Sequence, residues 1–262
     1  SASTDSEIIL DADYVIVDIN LDVDINNERG KINFNNFSEA IRTIGRYLKK
    51  DSLVILETTV PPGTTEKVVY PILEKEFKKK FNDTVTPLLA HSYERVMPGP
   101  NYFNSITNFW RVYSGYNSKA SKKCKEFLET IINTEEFELK QLMNPTASET
   151  AKVMENTYRA LNIAFIDEWS KFAEITNIDL FEIISAIKVR PTHSNIMNPG
   201  LGVGGYCLTK DPLMGMISLD QIFKKKSDFP LSKLAVKINK EMPTNTLKLV
   251  INNIAKDKNR VL

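Results

Sequence analysis

Along the first half of the chain, short apolar runs alternate with amphipathic stretches. YVIVDI (14–19), LVILE (53–57) and PLLAH (87–91) have the length and β-rich content of buried strands. Between them, FSEAIRTIGRYLKK and TEKVVYPILEKEFKKK repeat apolar positions at helical spacing, and the second is entered through a proline–glycine turn. Apolar strands separated by helices predict parallel strands with both sheet faces covered, part of a doubly wound α/β fold. WRVYSG (110–115), KASKKCKEFLETIIN and FELKQL (137–142) add one further strand, helix and strand.

The texture changes at Asn144-Pro145. From Thr146 to about Asn177 there is no proline or glycine, and Met154, Tyr158, Leu161, Phe165, Trp169 and Phe172 recur at steps of three or four. This predicts a long central helix, roughly 45 Å at 1.5 Å per residue. Ser148 and Glu149 suit its N-terminal turn. The aromatic stripe reads as core packing or, on a helix longer than a small domain is wide, as the seam of a homodimer. A second helix, DLFEIISAIK, a glycine-rich loop and a helical region from about Leu231 to Ala255 complete an all-helical second half. The expected organisation is therefore an α/β domain over 1–144, a helical domain over 145–255, and the start of a third domain over 256–262.

Charge narrows the partners. With 34 basic and 33 acidic residues and a net charge of +1, no broad basic field for nucleic acid exists, and the lysine triplets at 78–80 and 224–226 read as solvated helix ends. Two cysteines, Cys124 and Cys207, lack metal or disulfide-framework spacing, which fits a reducing, cytoplasmic compartment. No apolar run approaches the ~18 residues of a membrane span. The N-terminus lacks the basic and apolar regions of a signal peptide, and both ends suggest a fragment.

Candidate chemistry gathers in NPGLGVGGYCLTKDP (198–212). Gly200, Gly202, Gly204 and Gly205 permit close approach of the main chain to a ligand. Cys207 follows them, with a helix start and Lys210 nearby to favour thiolate, and Asp211 four residues on to polarise a water. The plain reading is a buried structural cysteine, and Cys124 on its lysine-flanked helix reads as structural or merely exposed. Lys152 and Asn156, at i and i+4, project from one face of the long helix, away from Met154 and Tyr158; together they suit an oxyanion, and singly they read as solvated surface. Thr58 and Thr59 follow one strand, and Glu94 and Arg95 the next, at the sheet edge where ligands of open α/β folds bind. His91 and His193 leave open a cysteine hydrolase, although no spacing favours it. No glycine-rich dinucleotide turn follows any strand.

In order, ETTVPPGTTE, SYERVMPGP, SETAKVMENTYRALNIAFIDE, KVRPTHSN and NPGLGVGGYCLTKDP resemble the motifs of the UDP-sugar 6-dehydrogenases, over essentially the whole chain. ERVMPG and the GVGG-x-C loop are similar to the UDP-N-acetylhexosamine branch. The resemblance implies a partial Rossmann-like NAD-binding domain, a central helical domain and a truncated UDP-binding domain. It also implies two NAD-dependent oxidations of a sugar C6 alcohol, with Cys207 holding the half-oxidised carbon as thiohemiacetal and then thioester. By the same resemblance Lys152 and Asn156 stabilise the oxyanion and Asp211 is the carboxylate after the cysteine. Thr59 orders a water, Glu94 is an acid/base, and Arg190 binds substrate and can be lent across a dimer interface. Thr58, Thr59 and Lys210 are assigned to the cofactor; Glu94, Arg95, Lys152, Asn156, Arg190 and Gly204 are assigned to the UDP-sugar. Three departures accompany it: the first βαβ unit is missing, the third domain is missing, and NLDVD replaces the proline-rich turn after VIVDI. The fragment alone is expected to turn over little, and a silent scaffold of the same fold is the competing expectation.

Overall fold

A computed structural model of the chain describes residues 2–25, 29–81, 85–97 and 99–256. They pack as two units, one comprising residues up to Val153 with Met214–Ser227, the other Met154–Leu213 with the residues from Asp228 onward.

The first unit is built on a sheet in the order β1-β4-β5-β6-β7. Its strands are β1 (Tyr14–Val17), β4 (Leu53–Leu56), β5 (Leu88–His91), β6 (Arg111–Gly115) and β7 (Leu139–Gln141). Tyr14 lies opposite Leu53 and Leu53 opposite Leu88, all parallel. Every residue of β4 and β5 is buried, as strands covered on both faces require. One face is covered by α4 (Ser118–Glu129), whose Ala120, Cys124 and Leu128 pack on Leu53, Ile55, Leu88 and Ala90. Asn117 starts that helix by accepting from the Ala120 N–H at 2.9 Å. Two further helices pack together in this unit: α1 (Asn35–Tyr47), burying Phe37, Ile41 and Ile44, and α2 (Tyr70–Phe81), which continues a π-helical stretch from Thr65.

The parallel strands expected for the first three apolar runs are present, and the sheet departs from that direction at β6, which runs antiparallel to β5. Among its described residues the connection between them contains the short α3 (Tyr102–Thr107), and Ser92, just beyond β5, bonds both the Arg111 side chain and the Val112 carbonyl. The chain therefore re-enters the sheet beside the end of β5 and runs back. The segment after VIVDI forms a small antiparallel pair, β2 (Val23–Asp24) with β3 (Lys31–Ile32).

Packing also divides the chain differently from the compositional break at Asn144-Pro145. The first turns of α5 (Pro145–Thr176) belong to the first unit, and so does the segment carrying α7 (Met214–Ile217). Ser218 donates to Pro62 O, Asp220 pairs with Arg29, and the Gln221 carboxamide exchanges two bonds with the Ile32 backbone.

The second unit consists of the rest of α5, α6 (Leu180–Lys188), the glycine-rich loop and α8 (Pro230–Lys256). Ala160 and Ala164 pack on Ala235, small side chains that let α5 and α8 approach closely. Asp179 caps α6 through the Phe181 and Glu182 N–H groups. The aromatic stripe of α5 is not core: Met154, Tyr158, Phe165, Trp169 and Phe172 are all exposed, because α8 and the glycine-rich loop pack on other faces of the helix. The third-domain start expected at 256–262 lies, from residue 257, outside the described residues.

Candidate active site

In the first unit, the strand ends deliver the predicted residues to the sheet edge. Thr58 and Thr59 follow β4 directly, the first buried and the second half-buried. Tyr93, Glu94 and Arg95 follow β5. Lys152 is only 8% exposed, which overturns its plain reading as solvated surface. Its ammonium donates to Glu94 O at 2.9 Å, lies 3.5 Å from the Glu94 carboxylate, and sits over the Tyr93 ring. Arg95 is turned elsewhere: its guanidinium donates to Trp110 O and the Tyr93 hydroxyl and packs on Phe109.

Beneath Lys152 the first turns of α5 are tied down by groups that sequence reasoning assigned only to a helix start. Ser148 Oγ lies 2.7 Å from His91 Nδ1 and 2.6 Å from Ser114 Oγ, all buried. Burial, with Lys152 nearby, lowers the His91 pKa to about 3. That ring is neutral and sealed, which removes it as a hydrolase base. Glu149 accepts from Gly63 N, Thr65 N and Thr65 Oγ1. It thereby closes the start of the helix that leads into α2, and burial pushes its pKa up to about 8 against the pull of those donors. A sequence signal existed, a serine–glutamate pair opening an apolar-faced helix, but nothing in it named their partners.

In the second unit, Asn156 is 6% exposed and donates to Asp211 Oδ2 at 2.7 Å. Lys210 Nζ meets the other oxygen of Asp211 at 2.9 Å and lies over the Tyr206 ring, 4.2 Å from its centroid. Its charge is thus directed at Asp211, which is fully buried. Cys207 is exposed, so the plain reading of a buried structural thiol does not hold for it. Its carbonyl accepts from Lys210 N and Asp211 N, and the helix start expected behind it is a 3-10 turn, Asp211–Leu213, from which the chain continues helically through α7 (Met214–Ile217). Of the loop glycines, Gly202 and Gly205 adopt positive φ, and a Cβ at Gly202 would meet Pro243 of α8 at 2.8 Å. Gly204 has open space around it, Arg190 is exposed, and His193 Nδ1 bonds Thr192. Cys124 is the buried thiol, its pKa pushed up to about 12 by burial.

Among the described residues no group of acids, histidines and cysteines is arranged to hold a metal, and no helix is long and apolar enough to cross a membrane.

Residues 1–134 match the NAD binding domain of the UDP-glucose/GDP-mannose dehydrogenase family, and residues 146–241 match that family's central domain. A UDP-N-acetyl-D-mannosamine dehydrogenase of Pyrococcus horikoshii is 35% identical over 204 residues, covering 78% of this chain and 45% of its own. The enzyme of that name in Methanocaldococcus jannaschii is 34% identical, covering 86% of this chain and 47% of its own. The solved structure of a UDP-D-ManNAc dehydrogenase from Pyrococcus horikoshii superposes with a TM-score of 0.81 at 30% identity, over 97% of this chain and 56% of that one. The chain spans about half the length of the curated relatives it matches. With one family model covering more than half of its residues and a second covering the long helix and the cysteine loop, the chain belongs to the UDP-glucose/GDP-mannose dehydrogenase family.

Proposed function

We propose that this chain carries the working residues of an NAD-dependent enzyme that oxidises the C6 alcohol of a UDP-N-acetylhexosamine, of the N-acetylmannosamine type, to the uronic acid. The observation that carries the reading is an exposed thiol, Cys207, in a glycine loop whose exit is fixed by the buried Asn156–Asp211–Lys210 set. An exposed thiol on an anchored backbone can form and break a covalent bond while its backbone stays put.

The chemistry balances through that sulfur. The alcohol loses a hydride and a proton to give the aldehyde, and the Cys207 thiol adds to it, its proton passing to the oxygen. The thiohemiacetal loses a second hydride and a proton to give a thioester, and water releases the carboxylic acid and the thiol. Accepting the two hydrides is the chemistry NAD supplies when bound. The residues present fit a cofactor edge in part: Thr58 and Thr59 stand beyond the carboxyl end of β4, where ligands of open α/β sheets bind. The N–H groups of Gly63 and Thr65 are already taken by Glu149, so a pyrophosphate is not assigned there. Lys210, held by Asp211, is better read as part of the cysteine loop than as a cofactor ligand.

In this reading Lys152 and Asn156 donate to the oxyanions that form on the sugar carbon, Glu94 moves the proton of the hydrolytic water, and Thr59 orders that water. Arg190 and Gly204 serve substrate binding. A second copy of the chain covers the exposed apolar residues of α5 and α6, among them Phe165, Trp169, Phe172 and Phe181. Incubating the full-length protein with NAD and UDP-N-acetylmannosamine should yield two NADH per sugar. Silence across a panel of UDP-sugars would overturn the activity.

A further inference from the structure

The cysteine loop is held by α5 at both of its ends, and in each case by a carboxamide. At the exit Asn156 Nδ2 donates to Asp211. At the entry the side chain of Asn162 uses both of its polar atoms: Nδ2 donates to Asn195 O at 2.8 Å, and Oδ1 accepts from Met197 N at 3.0 Å. This is the pairing that a neighbouring β-strand would offer to an extended backbone, supplied here by one helical side chain. Asn195 adds its own carboxamide to the Tyr158 hydroxyl at 2.6 Å, so two residues of α5 grip the same short piece of chain. Farther along, Thr246 donates to Leu201 O and Gly202 rests on Pro243.

We propose that Asn162 is a positioning residue for Cys207, clamping the entry of the glycine loop so that the thiol is delivered to one place. Its consequence for catalysis rests on the function proposed above; the clamp itself does not. The loop contains Gly200, Gly202, Gly204 and Gly205, whose missing side chains leave it few means of holding its own shape. Backbone hydrogen bonds to an outside carboxamide replace what those side chains cannot supply. Asn156 fixes only the exit, so with the entry released the stretch from Asn195 to Tyr206 gains freedom while its last residues remain anchored. An ångström-scale displacement of a nucleophile is enough to cost about 100-fold in rate.

The test is Asn162→Ala, a substitution that favours helix and so should leave α5 intact. Amide hydrogen exchange across residues 195–206 and steady-state kinetics are measured on the same preparations of the full-length protein, with Asn162→Asp as the conservative variant that keeps an acceptor for Met197 N. In the alanine variant, exchange should quicken over that stretch while α5 stays protected. Its kcat should fall about 10- to 100-fold with little change in KM. The aspartate variant should fall between it and the parent in both. Unchanged exchange overturns the clamp whatever the turnover, and faster exchange with unchanged kcat overturns the positioning role. If the parent protein is silent on every UDP-sugar while exchange still quickens in the alanine variant, the proposed activity fails and the clamp is upheld.

Discussion

The carboxamide of Asn156 donates to Asp211 at 2.7 Å, so a residue cast as an oxyanion donor is turned in this chain toward a buried carboxylate. The second oxygen of Asp211 takes the ammonium of Lys210, itself only 6% exposed. Asp211→Ala therefore leaves a buried cation without its counter-charge, and the expected loss of stability is about 3–5 kcal/mol. Urea denaturation followed by circular dichroism measures it. A loss well under 1 kcal/mol would mean that water screens the pair.

The two thiols should differ sharply in reactivity. Cys124 is enclosed among Leu53, Leu88 and Leu128 with its pKa raised to about 12 by burial, while Cys207 is exposed. Iodoacetamide at pH 8 should therefore modify the native protein once, at Cys207, and Cys207→Ser should remain unmodified and form no uronate. Mass spectrometry locates the adduct. Labelling of Cys124 under native conditions would contradict the burial on which the assignment stands.

Glu149 gives a pH dependence of stability with a definite sign. Its ordinary pKa of 4.5 is raised to about 8 in the folded chain, chiefly by burial, with Glu66 adding to the rise and the bonds from Thr65 and Gly63 opposing it. The folded state then holds a proton that the unfolded state has released, so this group's contribution is complete below about pH 4.5. It is lost as pH rises through about 8, at no more than about 1.4 kcal/mol per pH unit. Glu149→Gln removes the titration, so the difference in unfolding free energy between parent and variant should slope across pH 5 to 8 in the variant's favour. A flat difference would show that the three donors hold the carboxylate ionised throughout.

Lys152→Ala separates chemistry from binding. The ammonium is already fixed by the Glu94 carbonyl and carboxylate rather than free to sweep solvent, the condition for preorganised stabilisation of a developing charge. Loss of one such donor should lower kcat about 10²- to 10³-fold and leave the KM for the UDP-sugar nearly unchanged. A raised KM with kcat intact would make Lys152 a substrate-holding residue only.

Apolar runs and helical spacing revealed β1, β4, β5 and the length of α5, although only β4 and β5 are buried throughout and the apolar stripe that marked α5 is exposed. These patterns missed the reversal of β6, because strand direction depends on where the connection returns, and here that is set by Ser92 and Arg111 across the strand end. Lys152 and Asn156 were placed on the correct face, opposite Met154 and Tyr158, by helical spacing. That this face is buried was not legible, since nothing local distinguishes a solvated lysine from one held by Glu94. Ser148 and Glu149 were legible only as a helix start, and Asn162 not at all, for a related reason: each works through backbone or side-chain groups distant in sequence.

The exposed stripe of α5 supports the last prediction. Phe165, Trp169 and Phe172 form a ladder of edge-to-face rings with centroids 6.3 and 5.6 Å apart, and Ile183 and Ile187 of α6 line the same apolar groove. Rings already ordered against each other lose little side-chain freedom when covered, which makes them suitable anchors for a partner. A second copy of the chain is the occupant proposed, and Trp169, central in the ladder, is where truncation or charge should matter most. Trp169→Glu is expected to weaken dimerisation by at least 2 kcal/mol, roughly 30-fold in the dissociation constant, because a carboxylate would have to be desolvated at the seam. Sedimentation equilibrium across micromolar concentrations reads the effect. A parent protein that stays monomeric over that range, or a variant that dimerises as well as the parent, would show that the stripe faces something other than its own copy.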